Sequence, residues 1–204
     1  MQQDEAADYE SVLQFWFGHI DPQTGVEPSL RARWFTPNPE FDQLIRDRYG
    51  GVLEAAARGE LDHWQHSPRG RLALIVVLDQ FSRNAYRGTE AMFASDRAAL
   101  EIATRGLERH DDEQLACEER VFFYMPFMHS EELAKQERCV ALLGALARSA
   151  PPELRPRVEE AVRYAERHRD IVKRFGRFPH RNAALERTST GEELAFLTQP
   201  GSSF

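Results

Sequence analysis

The stretch Pro68–Gly88, PRGRLALIVVLDQFSRNAYRG, decides the fold. Seven apolar residues run unbroken from Leu72 to Leu78, and the chain then turns polar through Asp79, Gln80, Arg83, Asn84 and Arg87. Alone, a run of this length with several β-branched residues fits a buried strand as well as a buried helix. Two signals decide for helix. Ser67-Pro68 is an N-cap followed by proline at the first helical position. Elsewhere the chain shows no β-hairpin or βαβ pattern that would give a strand its partner. The stretch therefore predicts a buried rod with a polar head in the interior.

Outward from it, the chain predicts helix after helix. Asp8 or Ser11 caps a first helix through VLQFWFG, closed by Gly18. His19–Thr36 is expected to be a long loop holding a short LRARWF turn. Asn38-Pro39 opens a helix along Phe41, Leu44, Ile45, Val52 and Leu53, which Gly50-Gly51 should weaken or break. Ser95-Asp96 starts another, and Pro126 should end or kink the one through CEERVFFYMPFMHS near Tyr124. Ser130 is expected to cap the next, with Glu131 and Glu132 in its first turn. A long helix follows Pro151-Pro152 and ends at Gly176, and Thr190-Gly-Glu-Glu193 is a capping box for the last. Antiparallel pairs with short turns imply an all-α stack or bundle. Residues 8–204 are expected to form a single all-helical domain behind a flexible N-terminus, residues 1–7.

Composition narrows the functional classes. The chain has 204 residues, 42% hydrophobic and 29% charged, ordinary for a globular protein. The acidic start MQQDEAADYE does not read as a signal peptide, and no apolar run approaches the ~20 residues of a membrane span. A cytoplasmic location is expected, without a membrane. A net charge of −7 argues against nucleic acid as a partner. Arg148–Arg187 nevertheless carries 11 Lys/Arg against 6 Asp/Glu, a net of +5 that leaves −12 for the remainder. Cys117 and Cys139 lie in apolar helical patterns and are expected as core residues, not as a disulfide framework.

Polar residues gather in two places. Asp79, Arg83 and Arg87 are spaced four apart, on one helical face if the helix persists. Asp79 continues the line of Leu72 and Ile75, which aims it at the core, where a carboxylate needs a partner. Arg83 is the local one. The pair is either structural or a guanidinium held to grip a carboxylate or phosphate. The second place echoes the first: FSRNAYR at Phe81–Arg87 and FPHRNAALER at Phe178–Arg187 both set Arg-Asn after a phenylalanine. His168 lies on an apolar face with Ala161, Ala165, Val172 and Phe175. The proline-braced loop carrying His180, Arg181 and Asn182 follows it. His129 precedes Ser130 and Glu131, where the start of the next helix would favour its neutral form. Convergence of His129, Glu131, His168 and His180 on a metal lacks any HExxH or CxxC spacing, so no metal or other cofactor is expected.

The motifs LQFWFG, WF at Trp34-Phe35, LALIVVLDQFSRNAYRGT, FFYMPFMHSE and RFGRFPHRNAALERTST resemble the bacterial domain-of-unknown-function 924 family over nearly the whole chain. The resemblance implies an all-α fold of antiparallel helix pairs in a tetratricopeptide-like right-handed superhelical array. The family's usual DQFPRN stands here as DQFSRN, with Ser82 in place of proline. The resemblance carries no activity.

Three functions compete. The first is a small-molecule site: Asp79, Arg83, Asn84, Glu131, Arg181 and Asn182 hold a small anionic or polar metabolite, and His129, His168 or His180 moves a proton. The second is a helical scaffold whose groove takes a protein or peptide partner, with Trp16, Phe17, Trp34 and Phe35 as aromatic anchors. In the third the polar motifs only brace helices and loops.

Overall fold

Residues Gly70 to Ser82 are all buried, which makes the rod the centre of the molecule. The computed structural model describes residues 8–202; the expectation of a flexible segment at residues 1–7 lies outside them. Helix α1 (Tyr9–Phe17) is capped by the Asp8 carboxylate and closed by Gly18 at positive φ. After it come α2 (Pro28–Phe35) and α3 (Pro39–Ala57), the latter capped by Asn38. The rod itself is α4 (Pro68–Ile75), a π-helical turn (Val76–Phe81) and the short α5 (Ser82–Ala85). The rest is α6 (Asp96–Glu108), α7 (Cys117–Met128), α8 (Leu133–Ser149), α9 (Arg155–Phe175) and α10 (Gly191–Leu197).

Among the described residues the protein is all-α apart from one two-residue antiparallel pairing, Ile20–Asp21 with Gly25–Val26. This hairpin and the eight-residue α2 replace the expected long loop. Glu118 on α7 pins them, accepting from the Val26 N–H and pairing with Arg31 at 3.0 Å and Arg157 at 3.2 Å. No alternating apolar pattern marks this pairing, because two residues a strand are too few to show one.

The helices divide by the part of the rod they cover. α1, α6 and α7 pack on α4, α3 packs on the π turn and α5, and the α8–α9 pair joins through α7. The Phe81 ring, at the end of the π turn, sits 5.0 Å from Tyr49, 5.6 Å from Trp16 and 5.9 Å from Phe15. Contacts of this kind are worth about 0.5–1.5 kcal/mol each beyond burial. They fix the rod's polar end from behind. Trp16 and Phe17 are core residues and Trp34 is half-buried, its indole N–H donating to the Trp16 carbonyl. Phe35 is 67% exposed. Cys139 is buried and Cys117 half-buried, both as free thiols.

Three helices differ from expectation, two of them for a packing reason. α3 runs unbroken through Gly50-Gly51, whose cost of about 1 kcal/mol per glycine is outweighed by buried Tyr49 and Leu53 on either side. α7 continues past Pro126 to Met128, because every residue from Phe122 to Met128 is buried. α8 begins at Leu133 instead of Glu131. The Ser130 hydroxyl accepts only from the Glu132 N–H, in the connection before the helix. Glu131 is thereby freed for another task.

Candidate functional site

The π turn creates the site's first wall. Widening the helix lets the Ser82 N–H reach back five residues to the Val77 carbonyl, bypassing that of Leu78. The Ser82 hydroxyl donates to the Leu78 carbonyl at 2.5 Å, and Arg83 Nη1 donates to the Asp79 carbonyl at 2.7 Å. Backbone groups released by the bulge are thus satisfied by the next side chains along, as buried carbonyls must be. Pro68 and the Ser67 hydroxyl start this helix, and the bulge turns Asp79 toward the end of α7.

There Asp79 meets His129, the residue that terminates α7. The Asp79 carboxylate accepts from His129 Nδ1 at 2.7 Å, from Gln80 Nε2 at 2.5 Å, and pairs with Arg83 Nη1 at 2.9 Å. Burial pushes the Asp79 carboxyl up, and Arg83 and His129 more than reverse this, holding it below the usual carboxylate range. His129 is lowered as well. Burial and the nearby Arg83 charge lower its pKa against the pull of Asp79, so it is neutral near pH 7. With its Nδ1–H spent on Asp79, the neutral ring carries its lone pair on Nε2. A carboxylate that orients a neutral imidazole in this way prepares a general base. The helix end nearest His129 is the C-terminus of α7, so burial, not the start of α8, keeps it neutral.

The second wall comes from the chain after α9. Arg181, in the short helical turn Pro179–Arg181, donates through Nη2 to the His129 carbonyl at 2.9 Å and through Nη1 to Asp96 at 3.0 Å. Arg83 Nη2 reaches the same Asp96 carboxylate at 2.9 and 3.0 Å. The two arginines of the repeated Arg-Asn motif therefore meet across one carboxylate. Arg181 is buried between the rings of Phe93 and Phe178, its guanidinium 4.6 Å from each centroid. Burial lowers its pKa to about 10, and its Nε–H is buried without an acceptor among the described residues.

Two more histidines stand behind. The His168 ring is 6.2 Å from that of His129, with Nδ1 2.8 Å from the Tyr164 carbonyl, and Phe178 lies 5.5 Å from both His168 and His180. Burial lowers His168 to about 3 and His180 to about 4. Glu131 clasps the turn in place: it accepts from the Phe178 N–H at 2.8 Å and from Arg187 at 2.7 and 2.9 Å. Among the described residues no three His, Cys, Asp or Glu side chains are arranged to hold a metal ion.

The family model described as bacterial protein of unknown function (DUF924) matches residues 12–201. The chain belongs to the DUF924 family. It is also similar to a solved structure, a protein of unknown function, ATU0120, from Agrobacterium tumefaciens. The identity is 38%, the TM-score 0.78, and the match covers 93% of this chain and 96% of that one. None of the curated proteins matches. No described helix of this DUF924 protein is long and apolar enough to cross a membrane.

Of the predicted site residues, the structure brings together Asp79, Arg83, His129, His168, His180 and Arg181, with Glu131 bracing the turn. It separates the two asparagines. Asn84 donates to Asp42 on α3 at 2.7 Å, where Arg87 also binds, because α5 ends at Ala85 and the line Asp79–Arg83–Arg87 stops with it. Asn182 donates to Ser189 and Glu193 at the start of α10. Both asparagines anchor the arginines' backbone and do not reach the centre. Asp96 and Phe93 are the residues that sequence reasoning missed. Asp96 read only as a helix start, and nothing in its spacing links it to Arg83 or Arg181. Two surface depressions of about 380 and 450 Å³ lie elsewhere, one bordered by Leu107, Phe127 and Arg138, the other by Pro39 and Leu44.

Proposed function

We infer that the Asp79–His129 centre, flanked by Arg83 and Arg181, binds a small polar or anionic metabolite and that His129 acts on it as a general base. The observation that carries this reading is the buried Asp79–His129 hydrogen bond with two guanidiniums beside it. Three separate parts of the chain supply these groups: the polar end of the rod, the end of α7 and the turn after α9. Packing alone does not call for them, since buried ion pairs are often no more stabilising than apolar residues of the same volume. The neutral imidazole has the protonation state a base needs at pH 7. The buried Arg181 Nε–H supports an acceptor-bearing ligand. In this reading His168 and His180 form a neutral wall and Glu131 positions the Arg181 turn.

On the fold, we infer a tetratricopeptide-like superhelical order of the helix pairs. The successive packing of α6 on α7, α7 on α8 and α8 on α9 supports it.

The test is nitrogen-edited NMR of the imidazoles during titration with succinate and with inorganic phosphate. The His129 ring signals are expected to shift in the wild type and to stay still in Arg181→Gln. Silence in both proteins favours a purely structural network. One observation favours the scaffold reading, the exposed Phe35 ring. That reading expects Phe35→Ser to abolish capture of a specific partner while leaving the His129 signals unchanged.

A further inference from the structure

The anion site just described is already filled, and by the protein itself. Asp96, the first residue of α6, places its carboxylate between Arg83 and Arg181, touching both within 3.0 Å. Asp96 is the only acidic group paired with Arg181 among the described residues. Its attachment is unlike that of the arginines. Arg83 projects from the buried rod, and Arg181 is itself buried with its guanidinium fixed to the His129 carbonyl. Asp96 instead follows directly on the stretch Tyr86–Ser95, in which no residue is buried and Gly88 adopts positive φ. Over the site that strap is held by the Phe93 ring, 4.6 Å from Arg181 and 5.9 Å from Arg83, and at its start by Tyr86, packed against the core, and by Arg87, paired with Asp42 at 2.7 Å. Segments with so little buried surface open at low cost in free energy.

We propose that Asp96 is an internal carboxylate occupying the anion subsite, and that the ligand is a carboxylic acid whose carboxylate displaces it from between Arg83 and Arg181. The inference rests on the metabolite-binding reading and names its ligand class and its gate. When Asp96 leaves, Arg83 and Arg181 face Asp79 and a Glu131 already neutralised by Arg187, so the centre carries one uncompensated positive charge and calls for an anion. What the two guanidiniums grip at rest is a carboxylate, one nitrogen of each within 3.0 Å of it, and a ligand carboxylate offers the same pair of acceptor oxygens. Asp96 leaves the buried Arg181 Nε–H unmet, whereas a diacid or hydroxy acid brings a further oxygen to it. Such a ligand lies beside His129, which shares Arg181 through its carbonyl.

Calorimetric titration of the intact protein with succinate and with inorganic phosphate tests this. Removing an internal competitor raises apparent affinity in proportion to the fraction of open sites, so Asp96→Asn is expected to bind succinate about tenfold or more tighter than the wild type. Asp96→Glu keeps the charge and binds like the wild type. Adding Arg181→Gln to Asp96→Asn abolishes the gain. If Asp96→Asn fails to fold, Phe93→Ala loosens the strap with all charges retained and is expected to tighten succinate binding likewise. Equal succinate affinity in the wild type and in every folded variant overturns the gate, and preference for phosphate overturns the ligand class. His129 signals that respond in the wild type without any gain in Asp96→Asn sink the gate alone. Silence in all proteins sinks the site with it.

Discussion

Three neutral histidines in one interior should make the protein sensitive to mild acid well before its carboxylates titrate. An unfolded histidine titrates near 6.5, whereas His168 is held to about 3 and His180 to about 4 by burial. Below pH 6.5 the unfolded chain takes up protons that the folded chain refuses. Stability is therefore full above that pH and falls by about 1.4 kcal/mol per unit for each such group, until its folded pKa is reached. At pH 5 each costs about 2 kcal/mol. Together they cost about 3–4, since His180 is only partly buried and its share is screened. His129, lowered for the same reason, adds in the same direction. Against a typical total of about 5–15 kcal/mol this loss is large. The depressed carboxylates Asp42, Asp79 and Glu131 stabilise above their unfolded pKa near 4 and lose that only as pH falls further. The window between about pH 5 and 6.5 thus belongs to the histidines. Urea unfolding followed by far-UV circular dichroism at several pH values across this window measures the slope. His168→Asn, whose amide can take over the hydrogen bond to the Tyr164 carbonyl, should reduce it by about 1.4 kcal/mol per pH unit. Equal stability at both ends of the window, or an unchanged slope in His168→Asn, would show that these rings are not buried in the neutral form.

Three other perturbations probe the rest of the site. Asp79→Asn takes the anion from Arg83 and His129 together and is expected to cost about 3 kcal/mol or more in urea unfolding, as loss of one member of a buried pair does; a cost below about 1 kcal/mol would mean that Asp96 alone suffices for Arg83. Ser82→Ala strips the hydroxyl from the Leu78 carbonyl at the π turn, and a loss of about 1–2 kcal/mol is expected, with no loss if water readily replaces it. Glu131→Gln unclasps Arg187 and weakens the hold on the Phe178 N–H. Hydrogen exchange should then speed up across Phe178–Arg187 while α4 stays protected, and uniform exchange across both would refute a local clasp.

What the sequence reveals here divides along physical lines. Helix identity is legible wherever caps and periodicity agree, as at Asp8, Asn38, Ser67 and the Thr190–Glu193 box, because those signals are local. Gly50-Gly51 and Pro126 mislead for the converse reason. Their local penalties of roughly 1–3 kcal/mol are overridden by burial that depends on distant helices. The inward aim of Asp79 follows from its line with Leu72 and Ile75, yet no four-residue spacing reveals that its second partner is His129, 50 residues on. The Arg-Asn echo is informative for its arginines and misleading for its asparagines. An arginine side chain is long enough to cross from its helix to a shared carboxylate, while an asparagine satisfies groups close by, Asp42 for Asn84 and Ser189 for Asn182. Asp96 defeats sequence reasoning altogether, because it looks like any acidic residue at a helix start, where the dipole alone would justify it. That ambiguity bears directly on function. A carboxylate needed only by the α6 dipole would point along its own helix, but this one is spent on two arginines from other parts of the chain, and the strap that carries it buries none of its residues. The carboxylate that the proposal lets a ligand displace is thus one whose pairing its own helix does not require.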